Sequence, residues 1–112
     1  MTIECIPYKT DGYKLDKDEI KLVKAAIVDT DNKVYTGWRH SDILHHMKSI
    51  GCERRNTTDD QGFIDQHGNY YRRIVCSSIT FANGQLKEFK QNVFSEDLWD
   101  NDGNPLNQNE RK

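Results

Sequence analysis

Apolar positions along this chain change period twice, and each change predicts a different element. Over residues 21–29 they form a short, partly β-branched core bounded by the turn-forming Asp29-Thr-Asp-Asn32, which predicts a strand. Lys33-Val-Tyr-Thr-Gly-Trp38 alternates as a second strand, so residues 21–38 read as an antiparallel hairpin. Ile43, Leu44, Met47 and Ile50 then recur at helical spacing. They predict a helix over about 41–50, with Ser41 as N-cap, Gly51 just past the end and His40 over the apolar stripe at the entrance.

After a polar loop carrying Arg54, Arg55, Asp59 and Asp60, the strand period returns in Gln61-Gly-Phe-Ile-Asp-Gln-His-Gly-Asn-Tyr-Tyr-Arg-Arg73. Gly62-Phe63-Ile64 reads as a brief strand and His67-Gly68 as a tight turn, with Gly62 and Gly68 taken as turn glycines. Tyr70-Tyr71 resumes an extended segment that ends on Arg72-Arg73. Residues 74–82 fit two elements. Val75, Ile79 and Ala82 suit a helical face stopped by Asn83-Gly84, while the β-branched density suits a strand. Ser95 could cap a short helical turn over 95–99. The predicted plan is an accessory arm at 1–20 with one short strand near 3–6, an α+β domain at 21–99, and a polar, mobile tail at 100–112.

Composition narrows the classes. At 112 residues, 35% hydrophobic and 30% charged, the chain is a single small domain whose limited core would gain from oligomerisation. Sixteen Lys and Arg against eighteen Asp and Glu leave a net charge of −2, so any anion site is local and not a general nucleic-acid or membrane field. Three cysteines, Cys5, Cys52 and Cys76, are odd in number and widely spaced, which argues against a disulfide or zinc framework. The first residues lack the basic and apolar regions of a signal peptide, and no apolar run approaches the length of a membrane helix. A cytoplasmic protein is expected.

No catalytic motif stands out. His45 and His46 are adjacent, so they point about 100° apart on a helix and share no ion easily. Cys52 or Cys76 with His40 could in principle form a nucleophile and base, but no local pattern supports it. Neither a metal nor a cofactor is expected, nor a catalytic step. What remains is the hairpin at 61–73, where rings and guanidinium groups crowd together. Arg pairs bidentately with phosphate and stacks on planar groups, so the stretch suits a small nucleotide. On residues alone the scaffold reading is the stronger, with the Tyr rings in the core and both Arg in water.

Three ordered blocks carry a family resemblance. They are Lys33-Val-Tyr-Thr-Gly-Trp-Arg-His-Ser-Asp-Ile-Leu44, the hairpin at 61–73, and Asn83-Gly-Gln-Leu86 with Phe94-Ser-Glu-Asp-Leu-Trp99. Together they resemble the first Thoeris anti-defence family of bacteriophages, small proteins that sequester the cyclic ADP-ribose isomers made by host immune sensors. The resemblance implies an α+β fold whose protomers pair, with ligand near the dimer interface. Relatives assemble into hexamers, and some also hold cyclic oligonucleotides. It favours helix over 73–82.

The family hairpin reads Gly-Arg-Phe-x-x-Arg. Here Gly68, Tyr70 and Arg73 match, Asn69 stands in place of the first Arg, and Arg72 is an added cation. The site so implied places Arg39, Arg72 or Arg73 on a pyrophosphate. Phe63, Tyr70 or Tyr71 would stack on adenine, and His40 or a polar loop residue would hydrogen-bond ribose, with Asn69 in the same hairpin. The expected setting is the host cytoplasm, with a second copy of the chain as partner and no membrane. Two alternatives remain: an inhibitor that docks on a host enzyme, and a module for single-stranded nucleic acid.

Overall fold

The structure is a computed structural model that describes residues 3–55, 60–100 and 102–106. Asp59 therefore lies outside the described residues. Five strands form one antiparallel sheet: β1 (Glu4–Pro7), β2 (Leu22–Val28), β3 (Lys33–Gly37), β4 (Gln61–Asp65) and β5 (Tyr70–Arg72), in the order β1-β3-β2-β4-β5. Helices α1 (His40–Ser49), α2 (Arg73–Ala82) and α3 (Ser95–Leu98) complete the expected α+β fold. β2 lies at the centre, paired on both sides and buried along most of its length, which is why its sequence is apolar except at Lys24.

Strand alternation divides the core in two. On one face Leu22, Ala25, Ile27, Phe63 and Tyr71 pack against Ile43 and Met47 of α1, Cys76 and Ile79 of α2, and Leu98 and Trp99. On the other, Ala26, Val28, Val34, Ile64 and Tyr70 pack with Ile6 and Tyr8. The segment at 74–82 is a helix. Two of its hydroxyl side chains are satisfied within the protein: Thr80 Oγ1 donates to the Cys76 carbonyl at 2.8 Å and Ser77 Oγ to that of Gln91 at 2.6 Å.

The arm is not an accessory. It leaves β1 at one edge of the sheet and closes the other. The Tyr8 ring lies 5.6 Å from that of Tyr70, and the Lys9 carbonyl accepts the Tyr70 N–H at 2.7 Å, where an edge strand would otherwise be open. Tyr13 then meets the Tyr71 ring edge-on at 5.3 Å, two single 3-10 turns follow at Asp11–Lys14 and Lys17–Glu19, and Ile20 enters the core.

Other expectations change in detail. α1 begins one residue early: Arg39 is its N-cap, and Ser41 sits inside the first turn. The N-cap of α3 is Phe94 and not Ser95, its N–H held by the Asp97 carboxylate at 2.9 Å. Gly62 is a strand residue and not a turn residue; a Cβ there would overlap the Tyr71 backbone. The described part of the tail, 102–106, folds back: Trp99 bridges to Pro105, and the Leu106 N–H donates to the Leu98 carbonyl at 2.8 Å.

Three turns share one device. Asp29, Asp65 and Asp100 each accept the backbone N–H groups two and four residues on, at 2.8–2.9 Å. The pentapeptide Asp-x-x-Gly-Asn occurs at 65–69 and again at 100–104, and in both the Asn side chain also donates back to the Asp. Asp29 and Asp65 are both buried, each 1% exposed, and Asp65 additionally accepts the Tyr71 hydroxyl at 2.8 Å. Burial pushes its carboxyl up, but the hydrogen bonds from Asn69, Tyr71 and His67 outweigh it and hold the group below the usual carboxylate range.

Replacing Asp65 by Ala would leave these donors unpaired. It should cost about 3 kcal/mol in chemical denaturation at pH 7. Asp100→Ala, on the exposed counterpart, should cost much less; equal losses would deny Asp65 its central place.

Candidate functional site

The hairpin β4–β5 ends where α2 begins, and this junction faces the start of α1. Between them lies an open cleft of about 500 Å³ lined by Arg39, His40, Ser41, Asp42, Gln61, Arg73, Phe94 and Glu96. Both helices start here without a side-chain cap, so their first N–H groups leave positive partial charge at the cleft.

His40 and Arg73 form its centre. The Gly62 carbonyl lies 2.8 Å from His40 Nε2, which must therefore carry the proton and donate. Nδ1 is then a lone-pair acceptor, and Arg73 Nη2 donates to it at 3.1 Å. Phe63 meets the imidazole edge-on at 5.2 Å, and the Arg73 guanidinium lies 5.0 Å over the Phe94 ring. Burial, aided by the Arg73 charge, lowers the His40 pKa from 6.5 to about 4 against the opposing Gly62 bond, so the ring is neutral at pH 7.

Among the described residues no carboxylate comes within ion-pair distance of Arg73. Its Nε–H is buried and meets no acceptor there. Burial lowers its pKa, while Glu96 and Asp60 support the charge at longer range. A half-buried guanidinium held by a neutral ring and an aromatic face is a charge left available. Arg39 adds a second cation, tied by Nη1 to the carbonyls of Trp38 at 3.2 Å and Ser95 at 3.4 Å.

The structure thus brings together Arg39, His40 and Arg73 of the sequence-derived set and separates the others. Phe63, Tyr70 and Tyr71 are at most 1% exposed and belong to the core, so a stacking role does not fit them. Asn69 is buried in the Asp65 turn. Arg72 points away from Arg73 by strand alternation and borders a separate cleft of about 280 Å³ with Tyr8, Thr10, Tyr13 and Tyr70. His40 has both ring nitrogens engaged, which leaves none for ribose.

The residue missed was Phe94, the aromatic wall of the cleft. Its signal was an exposed Phe directly before a helical turn. Among the described residues only Asp16, Asp18 and Glu19 have ligand atoms close enough to share an ion, and all three are exposed. No described helix is long and apolar enough to cross a membrane.

Fold and cleft define a small α+β domain that carries a cleft with two arginines, Arg39 and Arg73, in its lining. The chain belongs to the family described as phage T4 y16D protein, whose family model matches residues 21–99, and so to the proteins of bacteriophages. No curated protein and no solved structure matches it.

The neutral His40 has a measurable consequence. Between pH 6.5 and 4 the unfolded chain takes up a proton that the native site refuses, so stability falls on acidification through that window. The loss from this group approaches about 3 kcal/mol below pH 4. Denaturation of wild type and His40→Asn at pH 7.5 and 4.5 should show the variant losing distinctly less; parallel losses would place a charged imidazole in the fold.

Proposed function

We propose that this bacteriophage protein binds and sequesters a cyclic ADP-ribose-type nucleotide in the host cytoplasm, so that an immune effector is left without its signal. The observation that carries this reading is the Arg73 guanidinium, half-buried, without a carboxylate partner among the described residues, and stacked on Phe94 at the mouth of the cleft. Arg39 and the two uncapped helix starts supply the rest of an anion site for a pyrophosphate. Phe94, 45% exposed, replaces the buried tyrosines as the surface on which a base stacks. Asp42 and Glu96 can accept from ribose hydroxyls. A volume of about 500 Å³ is in the range of small-molecule sites. Nothing in this mechanism requires a chemical step.

A second copy of the chain is the partner in this reading. Ile74, Phe81 and Phe89 are 67%, 52% and 57% exposed, and the two Phe rings pair edge-on at 6.1 Å. The same patch favours a second reading, an inhibitor docking these aromatics on a host enzyme.

Incubation with a cyclic ADP-ribose isomer separates the readings. Sequestration predicts a raised melting temperature, retention through desalting, and release of intact ligand on heating. Arg73→Ala should abolish retention with the fold unchanged by circular dichroism. Released but degraded ligand would make the protein an enzyme, and no thermal shift at millimolar ligand would end the nucleotide reading.

A further inference from the structure

In folded proteins a half-buried arginine ordinarily meets a carboxylate. Here the group within hydrogen-bond reach of Arg73 Nη2 is an imidazole nitrogen. We propose that His40 is a positioning residue of the cleft: as a neutral acceptor it aims the Arg73 guanidinium while leaving the charge for a phosphate of the ligand. This rests on the reading of the cleft as an anion site.

The chain of constraint runs back into the sheet. Gly62 lets β4 approach β5 so closely that any side chain there would overlap the Tyr71 backbone. That register fixes the Gly62 carbonyl, and the carbonyl fixes the proton on His40 Nε2. Phe63 packs edge-on against the ring and holds its plane. The Nδ1 lone pair thereby has one direction, toward Arg73 Nη2. On its other side the guanidinium is bounded by Phe94. Orientation is thus supplied from two sides without a countercharge, and the buried Nε–H is still unspent among the described residues. A Glu in place of His40 would pair with the guanidinium and cancel the charge the ligand needs, while leaving the Gly62 carbonyl without its donor.

The test uses the full chain with two probes, inorganic pyrophosphate and a cyclic ADP-ribose isomer, each titrated by NMR. Three variants are compared, each with its melting temperature. His40→Ala should weaken pyrophosphate binding about 30-fold. His40→Asn, whose side-chain oxygen takes the place of Nδ1, should restore it to within about threefold. His40→Glu should abolish binding although it folds, whereas His40→Asn, which also gives up the ring Nε2–H, keeps it, a contrast that a purely structural histidine would not produce.

If His40→Ala does not fold, the Asn and Glu variants decide alone. Wild-type affinity in His40→Glu overturns the proposal, as does absence of pyrophosphate binding in wild type. Pyrophosphate bound without the cyclic nucleotide removes the sequestration reading and leaves the positioning role standing. Cyclic nucleotide retained equally by wild type and His40→Glu does the reverse.

Discussion

The Asp65 carboxylate is the point on which the two halves of the molecule depend. A buried carboxylate is tolerated only when its lone pairs are filled, and Asn69, His67 and Tyr71 fill them. The same bonds set the β4–β5 turn, hold Asn69 inside and anchor the Tyr71 hydroxyl beneath Gly12 of the N-terminal arm. With Tyr71 fixed, Arg72 goes to the side of the N-terminal arm and Arg73 opens α2 at the cleft. A structural carboxylate therefore places the cation of the cleft eight residues downstream.

That dependence explains what could be read from the chain. The β2–β3 hairpin and α1 were legible because hydrophobic period and turn residues agreed there. For 73–82 the residues alone left helix and strand open, and only the family resemblance favoured the helix that is found, since its β-branched and hydroxyl residues are supported by contacts with 85–94 that no local window contains. The Asp-x-x-Gly-Asn turns were present in plain letters, yet the second was taken for tail; Trp99, packed against Trp38 and Phe63, is what gives that turn a surface to fold on.

The site was half legible for a related reason. Residue type correctly drew attention to rings and cations at 61–73, but an extended segment distributes alternate side chains to opposite faces, so adjacent residues cannot share one site. Tyr70 and Tyr71 went to the two cores and the two Arg to two clefts. The partner of Arg73 came instead from His40, thirty-three residues earlier, and its aromatic wall from Phe94. Spacing carries no trace of such a pairing.

Sequestration places a demand on affinity that the open cleft alone meets poorly. A sponge competing with an effector needs roughly nanomolar binding, about −12 kcal/mol. An Arg–phosphate pair facing water contributes little, whereas the same pair in a water-excluded site contributes several-fold more. The exposed apolar residues of α2 begin at Ile74, next to Arg73, and run along the helix to Phe81. A second copy covering that stripe would at once bury it and roof the cleft, converting a weak surface site into an enclosed one. On this argument affinity and oligomeric state are linked: a surface substitution such as Phe81→Glu, some distance from the cleft, would weaken ligand retention by keeping the protomers apart.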